Sequence, residues 1–412
     1  MSPYTLASII LTLAVAIGYI NYRYIKMQST IAIMVGSLLI SLIFIFLQHT
    51  GIANVADQIK HLLIQTDFHS LLINGMLSFL LFAGSLTIDF STLKTRQWEI
   101  GILASISTIA SALLISAAIY YLLPLIGLSL PFLYCLLFGA LISPTDPIAV
   151  LATFKQIGAP KSLEVCVAGE SLFNDGVGIV IFLTIYELTF QHQVITFKNV
   201  SLLFLEQAIG GIAYGAILGF IAHHLIKNIN DAKTVILITL ALVTGGYTFA
   251  LSLNISGPLA MVVAGIFLGN KVRSTPTESK RNEALKIFWE VIDELLNAVL
   301  FLLIGFELLN LNFDNLSISS ILIAIPLVLL VRLVTVAIPM KSIQMRKTHE
   351  PYTISVLTWG GLRGGLAVAL ALTLPASHYR ELILTMTYGV VVFAIIVQGL
   401  TIKPLAKLAR GN

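Results

Sequence analysis

The chain has 412 residues, 57% of them hydrophobic and only 11% charged, with a formal net charge of +4. A soluble domain carries roughly 25% charged residues, so this composition excludes a water-soluble enzyme, a disordered chain and a nucleic-acid-binding protein. Lipid must be the solvent for most of the surface.

A membrane helix needs about 20 mostly apolar residues. The sequence predicts thirteen such stretches: Tyr4–Ile20, Thr30–Gln48, Ser70–Ile88, Trp98–Leu123, Pro131–Thr153, Leu163–Phe190, Ser201–Ile226, Thr234–Leu251, Gly257–Asn270, Ile287–Leu309, Leu316–Met340, Tyr352–Leu374 and Glu381–Ile402. The ninth is short, as a tilted or partly interfacial segment would be. No cleavable leader is expected, because the first stretch lacks a basic flank and leads straight into another span. Cys135 and Cys166 lie inside apolar stretches and read as small buried residues, with no disulfide or metal-ligand spacing.

Lysine and arginine test this division. Taken alternately, one set of connections and the C-terminal tail hold nineteen of the 24 basic residues, including the groups Lys271–Lys286, Lys341–Lys347 and Lys403–Arg410. The other set holds three, Lys60, Lys198 and Arg380, and the remaining two, Arg332 and Arg363, fall inside spans. By the positive-inside rule the N-terminus is outside and the C-terminus cytoplasmic, as in a multi-pass protein of the cell (inner) membrane.

Charge within hydrocarbon is costly and marks function or pairing. The deep candidates are Asp146, Glu170, Asp175, Glu307, Arg332 and Arg363. Asp89, Glu99 and Glu350 lie at span ends, where water is expected to solvate them. His223 and His224 sit at a cytoplasmic helix end, in an interfacial place, with pH sensing as the alternative.

In the fifth span, Ser143-Pro-Thr-Asp-Pro147 brackets Asp146 with two prolines. Proline removes a backbone donor and pushes the residue before it, here Ser143 and Asp146, out of the helical region. The helix is expected to break here, and broken backbone at membrane depth needs protein or a watery cavity around it. In the sixth span, Gly169-Glu-Ser-Leu-Phe-Asn-Asp-Gly176 places Ser171 and Asp175 on one helical line and Glu170 and Asn174 on the adjoining one. Oxygen ligands of this kind suit hard cations; a purely structural polar stripe is the alternative. The twelfth span carries Trp359-Gly-Gly-Leu-Arg-Gly-Gly365, where four glycines weaken a helix interior. The fifth and twelfth spans are an odd number apart and so run in opposite directions. Interrupted segments in corresponding places of two inverted halves point to a secondary transporter's binding site.

Thr-Asp-Pro at Thr145–Pro147, Phe-Asn-Asp-Gly at Phe173–Gly176 and Gly-Gly-Leu-Arg-Gly at Gly360–Gly364 resemble, in order and on the expected spans, the sodium/proton exchangers of the monovalent cation:proton antiporter-1 family, NhaP type. The resemblance covers nearly the whole chain. It implies an all-α polytopic protein of thirteen transmembrane helices, with an inverted repeat and broken helices 5 and 12 crossing at mid-membrane. It implies a homodimer, with residues 1–97 and 191–315 as a scaffold holding the dimer contact, and residues 98–190 and 316–412 as a mobile core ending in a short cytoplasmic tail. Asp175 would bind cation and proton in turn. Thr145, Asp146, Ser171 and Asn174 would surround the sodium ion, Thr145 by backbone oxygen and Asp146 through water. Glu170 and Arg332 would form a structural ion pair. Arg363 would lie at the cytoplasmic funnel or compensate broken-helix ends. Ala83 stands where related exchangers often carry an acid, which removes a cation ligand from the third span.

The expected activity is therefore electroneutral one-for-one exchange of Na+ or Li+ for H+, serving intracellular pH and sodium homeostasis, in a protein that is no enzyme and needs no cofactor. The alternatives are potassium/proton exchange on the same framework, an intramembrane aspartyl protease using Asp146 and Asp175, and an ion channel.

Overall fold

Hydrocarbon offers no water to a bare amide, so each apolar stretch must satisfy its own backbone as helix. The computed structural model describes residues 3–49, 75–190, 197–273, 279–311, 314–344 and 350–409. Among them the structure is all-helical, apart from one isolated antiparallel bridge between Asp146 and Leu362. Lys60, Arg346, Lys347, Arg410 and the start of the third expected span lie outside the described residues.

In chain order the helices are α1 (Pro3–Ile20), α2 (Ser29–His49), α3 (Leu77–Leu86), the short α4 (Phe90–Thr95) and α5 (Gln97–Ile126). Then come α6 (Phe132–Ile142), α7 (Ile148–Ile157), α8 (Lys161–Phe190), α9 (Phe197–Ile226), α10 (Ala232–Ser252) and α11 (Gly257–Arg273). The last are α12 (Ser279–Glu307), α13 (Asn315–Gln344), α14 (Thr353–Trp359), α15 (Gly365–Leu372) and α16 (His378–Ala409). Helix occupies a part of every expected stretch. Eight helical segments are long and apolar enough to cross a membrane, and α3, α6, α7 and most of α11 are shorter apolar pieces.

Local chemistry sets the ends. Asp89 and Asp231 accept from the backbone amides of Ser91 and Thr234 at 2.9 Å, capping α4 and α10. Gly158, at φ +65°, closes α7 in the left-handed conformation. At exposed Asp231 the hydrogen bonds from Thr234 keep the carboxyl below its usual range. α12 begins earlier than hydropathy predicts, since its first turns are amphipathic and carry an i,i+4 pair, Lys286–Glu290, at 3.6 Å.

The helices pack as two groups. In one, α9 and α3 pack on α11, and α12 packs on α2 and α3; in the other, α6 packs on α5 and α8, α13 on α5 and α16, and α15 on α16. The groups meet where α8 touches α9 and α11 and where α12 touches α15. Small residues bring axes together, as expected where lipid gives no hydrophobic drive to association: a Cβ on Gly269 of α11 would strike the Leu86 carbonyl of α3.

The fifth and twelfth stretches are each interrupted for five residues, 143–147 and 360–364, and the two interruptions cross. The Asp146 amide donates to the Leu362 carbonyl at 2.8 Å. Ser143 departs from the expectation for a residue before proline: it keeps helical dihedrals, φ −72° and ψ −39°. Its hydroxyl bonds the Gly139 carbonyl at 2.5 Å and its own carbonyl accepts from Arg363, which offsets the steric cost. The chain leaves the helix one residue later. Gly364 has no room for a side chain, because a Cβ there would collide with the Asp146 carboxylate. Gly364→Val is expected to separate the crossing: the purified protein should melt well below wild type and lose transport, and a variant with wild-type melting and flux would show that the two interruptions do not need this contact.

Candidate functional site

Each half-helix ending at the crossing leaves carbonyls without an intrahelical partner, and each one starting there leaves amides. The residues singled out by sequence fill these places. Arg363, 2% exposed, donates Nη1 to the carbonyls of Ser143 and Pro144, the latter at 2.8 Å, closing the end of α6. It does not line the cavity described below. Arg332 donates Nη2 to the Leu357 carbonyl at 3.0 Å, and Gln398 donates Nε2 to that of Trp359 at 2.9 Å, closing the end of α14. Asp146 accepts from the Ile148 amide at 2.9 Å, at the start of α7, and also lies against Gly364, at the start of α15. One carboxylate thus meets the positive ends of two helices.

Arg332 also meets Glu170 at 2.5 Å, with both side chains at most 5% exposed. Gly361 is bare because a Cβ would press on that guanidinium. Glu170 therefore points toward α13.

Thr145 is clamped. Asn174, fully buried, donates Nδ2 to Thr145 Oγ1 at 2.8 Å and accepts the Thr145 amide on Oδ1 at 3.2 Å. Ser171 donates its hydroxyl hydrogen to the Thr145 carbonyl. Both ends of the Asn174 amide are thereby used, whereas Ser171 keeps lone pairs on its oxygen.

Asp175 lies on the adjoining line of α8. It is half-buried, and its carboxylate has no hydrogen-bond or ion-pair partner among the described residues. It faces a cavity of about 730 Å³ that Ser171, Thr145, Asp146 and Gly364 also line. Lys155, Lys161 and Lys286 line the same cavity, so it runs from the crossing toward the face where those lysines sit.

Three further residues of the sequence reading are placed as follows. Glu307, 8% exposed, sits at the far end of α12 and accepts from Asn310 at 3.3 Å. Ala83 lines the cavity with a methyl group. Glu99 is fully buried rather than solvated: a π-helical turn at Ile102–Ser107 continues α5 through this end, and Arg96 meets Glu99 at 3.4 Å. Sequence reasoning missed Asp293 and Asn297, on the cavity-facing side of α12: both fall inside the tenth expected span, but close behind the charged turns that open the helix. It also missed Gln398, a neutral residue inside an apolar run.

Two interrupted helices crossing beside an unpartnered carboxylate in a cavity define a membrane transporter architecture. The family model described as "Sodium/hydrogen exchanger, transmembrane" matches residues 9–408. The Na(+)/H(+) antiporter NhaP of Pseudomonas aeruginosa is 41% identical over 406 residues, covering 98% of this chain and 96% of that one. The Na(+)/H(+) antiporter NhaH of Halobacillus dabanensis is 32% identical over 404 residues, covering 97% and 96%. The solved structure of the sodium proton antiporter MjNhaP1 from Methanocaldococcus jannaschii at pH 8 superposes with a TM-score of 0.80 over 99% of both chains at 21% identity, which shows a shared fold. The chain belongs to the sodium/hydrogen exchanger family, a family of multi-pass membrane transporters.

Breaking the buried pair leaves one uncompensated charge, at a cost of about 3–5 kcal/mol. Arg332→Ala is expected to lower the yield of monodisperse detergent-solubilised protein and its melting temperature, and Glu170→Gln to do the same. A fully stable, well-expressed Arg332→Ala protein would deny the pair this role.

Proposed function

We propose that the protein is a secondary active antiporter that exchanges Na+ or Li+ for H+ across the cell membrane, one for one, by alternating access. The observation that carries this reading is the Asp175 carboxylate, facing the cavity at the crossing with no protein donor on it. A carboxylate can hold a proton or a sodium ion but not both on the same oxygens. If only the loaded form crosses, each cation moving one way is matched by a proton moving the other.

The ligand set follows from the hydrogen bonds. Asp175 and the lone pairs of Ser171 contact the cation, the Thr145 backbone supplies a further oxygen, and Asp146 acts through water. Asn174 acts by holding Thr145 in place, since both ends of its amide are already engaged. Being an amide beside a single exchanging acid, it offers no second proton, which supports electroneutral rather than two-proton exchange.

The helices α5–α8 and α13–α16 are the moving core, and α1–α3 with α9–α12 are the scaffold, holding a homodimer through the latter. The packing supports this division, because the two groups are each closely packed and meet along narrower seams. With the N-terminus outside, the cavity opens to the cytoplasm. The protein would then contribute to intracellular pH and sodium homeostasis. Potassium is the alternative cation, since oxygen chemistry does not separate the alkali metals.

Asp175→Asn is expected to abolish sodium-driven proton flux in proteoliposomes while leaving the solubilised protein intact. Wild-type flux should respond to sodium and lithium more than to potassium and should not change when a voltage is clamped across the membrane. Sodium-dependent pH recovery by Asp175→Asn would overturn the site, and voltage-dependent flux with two protons per ion would overturn the stoichiometry.

A further inference from the structure

Among the carboxylates of the cavity that the exchange cycle above leaves unused, one stands on α12 below the charged mouth. α12 turns a stripe toward the cavity at spacings of three and four residues, carrying Lys286, Trp289, Glu290, Asp293, Asn297 and Leu300. Glu290 is tied to Lys286 at 3.6 Å, with both side chains more than half exposed. Asp293, less exposed, has no cation paired with it among the described residues. Asn297, 4% exposed, donates Nδ2 to Asp293 Oδ1 at 3.2 Å, which orients the carboxylate and leaves its second oxygen to the cavity.

The two ends of the stripe fix its depth. Leu300 lies against Gly365, the first residue of α15, next to the Gly364 that abuts Asp146. At 1.5 Å per residue, Asp293 stands about 10 Å from Leu300 along the helix, toward the Lys286 end. It therefore lies between the charged mouth and the crossing.

Its attachment differs from that of Asp175. Trp289, one turn away, packs on Phe82 of α3 with centroids 4.8 Å apart and donates Nε1 to Thr239 of α10 at 3.1 Å. This stretch of α12 is thereby fastened to the group opposite the one carrying Asp146 and Asp175. Ala83, on the same wall, offers no oxygen.

We propose that Asp293 is a capture carboxylate: a hydrated monovalent cation docks on it between the mouth and Asp175. The proposal rests on the exchange reading and adds a sidedness to it. A fixed charge in a low-dielectric funnel concentrates cations. Because Asp293 stays with the scaffold while Asp175 moves, it serves the binding site only when the cavity is open toward Lys286.

The test uses the full-length protein in right-side-out and everted membrane vesicles, with proton flux measured against sodium concentration at each face. In Asp293→Asn the half-saturating sodium concentration at the Lys286 face should rise about tenfold, with the maximal rate retained and the opposite face unmoved. Asp293→Glu should restore the affinity. Should Asp293→Asn fail to assemble, Asn297→Ala keeps the carboxylate but frees it, and should weaken affinity at the same face alone. No change at that face, an equal rise at both faces, or a fall in maximal rate with affinity intact would overturn the proposal. If the wild-type vesicles show no cation-driven proton flux, the exchange reading fails instead.

Discussion

Two helices stop and restart where their neighbours could offer no water, and the rest of the architecture depends on where the loose backbone groups find partners. A terminus of this kind costs several kcal/mol per unsatisfied group in hydrocarbon. Here the carbonyl ends of α6 and α14 are closed by Arg363 and by Arg332 with Gln398. The amide end of α7 meets Asp146, whose carboxylate also lies against Gly364 at the start of α15. Donors close the negative ends and an acid closes the positive ones, as the helix dipole requires. Arg363 reaches from one interruption to cap the other, and the Asp146 amide bonds the Leu362 carbonyl, so the two breaks are tied together.

That dependence frees Asp175. The other polar groups near the crossing are committed to holding backbone, to the Glu170–Arg332 pair or to the Asn174–Thr145 clamp. The group proposed to exchange is the one left over, on a regular stretch of α8. Ordered surroundings around a single uncommitted carboxylate let it change occupant without refolding its neighbours.

Much of this was legible in the sequence. Two prolines around Asp146 and four glycines around Arg363 announce interruptions, because both residue types act on the backbone itself. The i,i+4 lines on α8 separate Ser171 and Asp175 from Glu170 and Asn174; in the structure Ser171 and Asn174 meet again on Thr145, while Asp175 faces the cavity and Glu170 faces Arg332. What stayed hidden depends on tertiary placement. Glu99 looks like an interfacial acid until α5 is seen to continue past it. Asp293 looks like part of a wet helix start until α12 is seen to border the cavity. Ser143 obeys a local rule only when nothing else holds it, and Arg363 reaches across from the other interruption to hold it. The two possible places for Arg363 could not be separated without knowing which carbonyls lay within its reach.

The partners of Arg363 have a further consequence. It ends on carbonyls, not on a carboxylate, so its positive charge is not cancelled at its own position. Glu170 and Arg332 neutralise each other, which leaves Arg363 to balance one of the two acids, Asp146 and Asp175. In the exchange proposed above, with Asp146 counted as ionised, the bare core carries one surplus negative charge, and a single proton or a single alkali ion on Asp175 would remove it. Electrical neutrality of the buried ledger is then reached by either passenger and by neither absence, which is a physical reason for the empty carrier to stay where it is.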